Sequence, residues 1–313
     1  MTHRAAYKKR SSKLYRKRNI QLTILATPAL LLIFVFSYLP MSGIIIAFKD
    51  VNYSLGILKS PWVGFNNFKF FFTSNAAWEV IRNTLGYNLI NIFLGTAIAL
   101  VIALLMNEIT QRVLLKFYQT SFFFPYFFSW IVVAYIAYAF MSGSPAGIIT
   151  GLLQKIGINI SDFYLNPSYW PFAIPLLNIW KNVGYLSIIF YAALMGLSSD
   201  YREAASIDGA TRFQCTMRVM LPLITPVVSI MVLLSIGKIF YSDFGLFYFV
   251  PRQIGPLIPV TQTIDTYVYR MLTSTTDIGM AAASGLFQSV MGMIVVLISN
   301  FVVRRINPEN SLF

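Results

Sequence analysis

The chain has one cysteine, Cys215, one histidine, His3, and charged residues at only 11% of its 313 positions. A single cysteine excludes an intramolecular disulfide framework. One histidine in a basic tail leaves no material for a His/Cys metal site or for a Ser/His/Asp triad. No G-x-x-x-x-G-K-S/T sequence occurs, and no glycine-rich turn leads into a lysine placed to hold phosphates. The chain is therefore expected to bind no metal or cofactor of its own, to have no catalytic residues and not to hydrolyse ATP. The small-residue run Ser142-Gly143-Ser144-Pro145-Ala146-Gly147 lies between apolar runs, where a structural turn accounts for it.

What is abundant is apolar. Hydrophobic residues make up 57% of the chain and the mean hydropathy is +0.67, the composition of an integral membrane protein. A spanning helix needs about 20 largely apolar residues. Six runs qualify, over Gln21–Phe48, Arg82–Asn107, Phe117–Met141, Pro171–Leu197, Leu223–Tyr241 and Gly279–Val303. No alternating barrel pattern occurs, so the fold is expected to be all-α with six transmembrane helices. The first run follows a basic tail, but it exceeds the usual length of a signal-peptide core and has no small-x-small cleavage site, and it is read as a retained anchor.

The net charge of +13 does not point to nucleic acid, because Lys and Arg stand mostly at the ends of these runs. The tail before Asn19 and the second, fourth and last connections together carry fifteen, against six on the opposite side. The positive-inside rule then places both termini, and the connection around residues 203–222, in the cytoplasm. The outer connections are long and rich in Pro, Gly and aromatics, a surface that suits a partner on the far side.

The cytoplasmic connection reads EAASIDGATRFQCTMRVMLP from Glu203 to Pro222. Ser199 or Asp200 can cap a helix with Glu203 in its first turn, where a negative charge suits the helix dipole. Gly209 permits a tight turn, Thr211 can cap a second short helix, and Leu221-Pro222 is expected to end that helix. Ala204, Ala205 and Ala210 would form a small face open to close approach, with Glu203 and Asp208 offering charge to a partner. Position alone would favour a solvated loop.

The spacing goes further. Glu203-Ala204-Ala205, Gly209 six residues after the Glu, and Leu221-Pro222 at eighteen and nineteen resemble the EAA signature of binding-protein-dependent ABC importer permeases. The one departure is Val219 where Ile is usual. Arg82-Asn83-Thr84-Leu85 resembles the start of the family's core, and Gln119-Thr120 with Pro125-Tyr126-Phe127-Phe128-Ser129-Trp130 resembles its third span. Ile264-Asp265-Thr266-Tyr267-Val268-Tyr269-Arg270, Gly285-Leu286-Phe287-Gln288-Ser289 and Asn300 are similar to the maltose-type subgroup associated with polysaccharides and oligosaccharides. Ser242-Asp243-Phe244-Gly245 departs from the Gly-Phe-acid order expected there.

The resemblance implies a type I ABC importer permease in a bacterial plasma membrane, importing a carbohydrate by alternating access. It implies a second homologous permease, an ATPase dimer carrying ATP and Mg, and an extracellular solute-binding lipoprotein, with Glu203, Ala204, Ala205, Asp208, Gly209, Leu221 and Pro222 coupling to the ATPase. The organisation expected is a basic tail over 1–19, the first helix and its outer connection over 20–81, a permease core over 82–304 containing the coupling segment 200–222, and a cytoplasmic tail over 305–313.

A transport path is sought among polar groups inside the spans. Asn178, Lys181, Asn182 and Tyr185 share one helical face, flanked by Trp180. A charge in hydrocarbon is costly, so Lys181 is expected to face a partner or a water-filled cavity. Amides pair with sugar hydroxyls and aromatic rings meet the C–H faces of pyranoses, but the same residues equally serve helix–helix hydrogen bonding. Lys238, Tyr241 and Asp243 form a second cluster, where Lys238 can also snorkel outward. Phe122–Phe128 and the pair Tyr135 and Tyr138 read as packing or interfacial-belt residues. A non-sugar polar cargo, an ion-coupled secondary transporter and a membrane enzyme stand as alternatives. The secondary transporter wants paired intramembrane carboxylates that these spans lack, and the enzyme wants a catalytic constellation.

Overall fold

The structure is a computed structural model, describing residues 2–69, 73–143, 147–157, 162–275 and 277–306. Nearly all of the tail assigned to 305–313, and Ser144, Pro145 and Ala146 of the small-residue run, lie outside the described residues. Regular secondary structure among the described residues is helical, with one isolated antiparallel bridge between Lys49 and Trp62. Among the described residues, five stretches are long and apolar enough to cross a membrane: Arg18–Phe48, Asn75–Glu108, Pro167–Met195, Arg212–Ile236 and Ile278–Arg305. A sixth crossing requires Arg112–Phe127 and Trp130–Met141 to be taken together, bent by 99°.

The labels used are α1 (Thr2–Ile33), α2 (Asn75–Glu108), α3 (Arg112–Phe123), α4 (Trp130–Met141), α5 (Trp170–Met195), α6 (Asp200–Ile207), α7 (Arg212–Cys215), α8 (Leu221–Ile236), α9 (Phe244–Phe249), α10 (Ile264–Arg270) and α11 (Ile278–Ile306).

The third span, expected as one run over Phe117–Met141, is thus broken. Pro125 sits in a 3-10 turn, Phe124–Phe127, and contributes no N–H to carry the helix on; Phe128 and Ser129 are extended. Ser129 then starts α4 afresh, its Oγ accepting from the Val132 N–H at 3.3 Å.

Leu221-Pro222 does the reverse of what was expected. The helix runs on from Arg212 to Ile236 through a π turn, Thr216–Met220, closed by the Leu221 N–H on the Thr216 carbonyl. The wider turn lets the Pro222 ring pass the preceding carbonyls without stopping the chain.

The fifth span ends at Ile236, short of the expected Tyr241, and the irregular backbone beyond it is held by side chains. Asn88 Nδ2 donates to the carbonyls of Ile239 (2.7 Å) and Tyr241 (2.9 Å), and Gln288 Nε2 to that of Phe240 (2.7 Å). Asp265 accepts from the Ser242 N–H and Oγ, both at 2.7 Å, and from Gln288 at 3.1 Å. Asn83 binds the Pro259 and Gln262 carbonyls, the Tyr87 hydroxyl binds that of Val260, and Thr84 Oγ1 takes the Ile264 N–H. Non-helical backbone in an apolar protein survives only where each polar group finds such a partner.

Small residues set the central crossing. Gly95, Ala99 and Ala103 recur every four residues on α2 and are buried against α5, where Ile179, Val183, Phe190 and Leu194 fill the space. Gly184 does the same for α3, since a methyl group there would overlap the Phe122 carbonyl. The first span is the exception. None of its most apolar window is buried, so lipid or another membrane subunit must cover it.

Candidate functional site

The segment after α5 folds from local chemistry. Asp200 and Glu203 lie in the first turn of α6, matching its positive end. The Ser199 side chain makes no cap, contrary to expectation; the Asp200 N–H goes instead to Ser198 Oγ at 3.3 Å. Gly209 has φ 73°, which turns the chain where a Cβ would be penalised, and the Ala210 N–H closes on the Ala205 carbonyl at 2.9 Å. Thr211 and Gln214 form a capping box that opens α7.

This hairpin of helices is largely exposed. Glu203, Ala204 and Asp208 are exposed, together with Ile207 (86%), Phe213 (69%) and Tyr201 (47%). Ala205 was expected on an open face but is buried within the chain, because its turn of α6 faces the bundle. Leu221 is half-buried in the layer of α2 and α5, and Pro222 is exposed. Two bonds tie the segment to the end of α2: Arg202 Nη2 to Asn107 Oδ1, and Thr216 Oγ1 to Glu108 Oε1, each 2.7 Å. A cavity of about 320 Å³ between them is lined by Asn107, Glu108, Arg202, Arg212 and Cys215 among others. A push on the exposed hairpin thus bears on α2 through hydrogen bonds and on α8 through continuous helix.

The polar face of α5 is organised around the broken third span. Lys181 is buried, turned into the chain rather than toward open water: its Nζ donates to the Tyr126 carbonyl at 2.9 Å and lies 5.2 Å from the ring centres of Tyr126 and Trp130. The break at Pro125 frees that carbonyl, which is why a cation can sit there. The Trp130 indole donates to Asp243 Oδ2 at 2.6 Å, so the ring that Lys181 faces is tied to a carboxylate. Lys181 of the first cluster and Asp243 of the second, far apart in sequence, therefore meet on one tryptophan. Asp243 also caps α9 through the Gly245 N–H at 3.0 Å, and Gly245 admits the Trp130 ring against its backbone, so the unusual Ser-Asp-Phe-Gly order has a local use.

The other residues of this face divide. Asn182 Nδ2 bonds the Asn178 Oδ1 (2.6 Å) and carbonyl (3.1 Å), pairing the two amides. Tyr185 stacks on Tyr126 at 4.9 Å between ring centres and stays 45% exposed; Trp180 is 39% exposed. The Tyr241 hydroxyl meets Ser289 Oγ at 3.0 Å, and Lys238 is exposed. Accessible aromatic rings remain beside the buried Lys181.

Comparison with known proteins decides the family. The model of the binding-protein-dependent transport system inner membrane component matches residues 91–308. The chain belongs to this family. It is 33% identical over 293 residues to Protein LplB of Bacillus subtilis (strain 168), covering 94% of this chain and 91% of LplB. It is 30% identical over 297 residues to the polygalacturonan/rhamnogalacturonan transport system permease protein YteP of the same organism, covering 95% of this chain and 91% of YteP. A chain in the crystal structure of a bacterial ABC transporter involved in the import of the acidic polysaccharide alginate superposes with a TM-score of 0.85 at 30% identity, over 94% of this chain and 99% of that one. The family member described here has the ABC importer permease fold and is a multi-pass membrane subunit, not an enzyme.

Trp130, Gly184 and Asp265 carry more of the arrangement than the sequence reading gave them. A glycine in mid-span and a tryptophan just past an intraspan proline were the available signals, and both depend on a neighbour far along the chain.

Proposed function

We propose that this permease imports an oligosaccharide or polysaccharide fragment by alternating access, paired with a second homologous permease and driven by ATP and Mg on a separate ATPase dimer. Cargo reaches it from an extracellular solute-binding lipoprotein. Residues 200–222 and both termini face the cytoplasm in this reading, and Glu203, Ala204, Asp208 and Gly209 form the contact seated in the ATPase. The observation that carries the reading is the agreement, over nearly the whole chain, with a permease of an alginate importer. The exposure of Glu203, Ile207 and Phe213 on a segment bonded to α2 supports the coupling role.

Purification from the native membrane is expected to bring down a different permease and an ATPase dimer, and vesicles holding the complex should take up sugar only with ATP. A stable homodimer with ATPase activity and no other subunit, or uptake undiminished without ATP, would overturn the reading.

Within the path, Tyr185→Ala and Asn182→Ala should each weaken uptake with assembly intact, by the roughly 0.5–1.5 kcal/mol of one lost contact. Unchanged uptake in both, and in Asn178→Ala, would return that face to helix packing. The Asn178–Asn182 pair predicts that the two amide substitutions are not additive, since either one breaks the same bond.

A further inference from the structure

A separate cavity of about 390 Å³ opens between α4 and the chain following α9, within the range of ligand pockets. Its walls include Tyr135 of α4, Tyr248 and Phe249 of α9, and Arg252 and Gln253 just beyond. It lies past the end of α8 remote from the coupling segment, where cargo from an external protein would arrive.

The backbone here is unusual. Among the described residues, Arg252 and Gln253 are the non-glycine residues with positive φ, at 55° and 53°, adjacent to one another. Side chains with a Cβ resist that region, and such strain persists only where the surroundings impose it. The imposing contacts are present. Gln253 Nε2 donates to the Tyr248 carbonyl at 3.1 Å, Gln253 Oε1 accepts from Arg270 Nη2 at 3.1 Å, and the Arg252 N–H donates to the Phe249 carbonyl at 3.2 Å. The result is an exposed Arg252 whose guanidinium lies over the Tyr138 ring, 4.2 Å from its centre. Tyr135, one helical turn from Tyr138, is 67% exposed into the same space. Tyr135 and Tyr138 therefore do more than pack or belt the span.

These groups match one chemistry. A guanidinium presents parallel N–H donors that fit a carboxylate, while tyrosine rings offer flat faces to the C–H side of a sugar ring. A neutral sugar would need the aromatic faces and amides but not an exposed arginine held by a strained backbone. We infer that this pocket is an outer subsite for one carboxylate-bearing pyranose unit, a uronic acid residue of the cargo, with Arg252 on the carboxylate and Tyr135 against the ring. The inference rests on the reading of the chain as an oligosaccharide permease and narrows it to acidic sugars.

The test uses the complete transporter in vesicles, supplied with labelled trigalacturonate and with its carboxyl-reduced, neutral counterpart. Arg252→Gly is the informative variant, because glycine adopts φ 55° freely and the bend should survive with an equal or higher melting temperature. It should lower uptake of the acid about tenfold, the scale of a lost charge-assisted contact, and move the neutral sugar less than twofold. Tyr135→Ala should lower both sugars by a similar factor, since ring stacking is indifferent to the carboxylate. An acid-to-neutral ratio equal to wild type in Arg252→Gly would overturn the subsite. So would an equal loss of both sugars traced to weaker docking of the external protein, or import by wild type of the neutral sugar only. Import of neither trisaccharide, with uptake of a non-sugar solute intact, would remove the sugar reading and the subsite together.

Discussion

Gly209→Pro should bring sugar-stimulated ATPase activity and uptake down to background while the chain still assembles with its partner permease and still receives the external binding protein. Proline fixes φ near −65°, and Gly209 holds 73°, so the turn between α6 and α7 cannot form. The Gly209 N–H bond to the Ser206 carbonyl at 3.1 Å disappears with it, and the closing bond from Ala210 to Ala205 and the Thr211–Gln214 cap lose their register. Glu203 and Ile207 of α6 then lose their fixed relation to Phe213 of α7. Gly209→Ala is the graded control, costing about 1–2 kcal/mol of left-handed strain, and should retain part of the activity. Glu203→Lys should also uncouple, by reversing charge at the proposed contact. Full stimulation and uptake in both Gly209→Pro and Glu203→Lys would make the segment an ordinary solvated connection.

The second large effect is expected from Gly184→Val, as a loss of folded protein rather than of coupling. A Cβ at Gly184 would overlap the Phe122 carbonyl and lie 2.8 Å from the Phe123 N. Those are backbone atoms of α3, so no rotamer change relieves the contact and the helices must separate. Separation also draws Lys181 from the Tyr126 carbonyl and opens the layer of Ala99 and Phe190. Overpacking of this kind costs about 1–3 kcal/mol or more, visible as a lower melting temperature of the purified complex and less protein in the membrane. Gly184→Ala should show the same sign. An unchanged melting temperature for Gly184→Ala would mean that α3 and α5 are not in backbone contact.

Much of the architecture was legible because its causes are local. A spanning helix is specified by a run of apolar residues that lipid will accept, and such runs stand out at 57% hydrophobic content. The turn at Gly209 and the cap at Thr211 depend on residues within a few positions of one another, so the helical hairpin is legible in the sequence. The family signature was legible for the same reason, being a set of fixed offsets in one segment.

Other features turned on neighbours that spacing does not reveal. Pro125 and Pro222 both sit beside apolar runs, yet one breaks its span by 99° and the other is absorbed by a π turn. The outcome depends on whether surrounding groups can take the freed carbonyls. Lys181 takes the one at Tyr126, which spares the break; Asn88, Gln288 and Asp265 hold the chain after α8, where the expected span stopped early.

The sequence by itself determined that this is an all-helical membrane protein with a helical hairpin carrying the family signature, because hydropathy, helix capping and motif spacing act along the chain. Only the tertiary structure decided which polar residues pair within the chain and which stand exposed. Lys181 and Asp243 are joined through Trp130, Asn178 is paired with Asn182, Ala205 is buried, and Arg252 is held outward by a strained backbone. A side chain's availability depends on the partners that folding brings to it, because in an apolar medium a polar group left without one is costly.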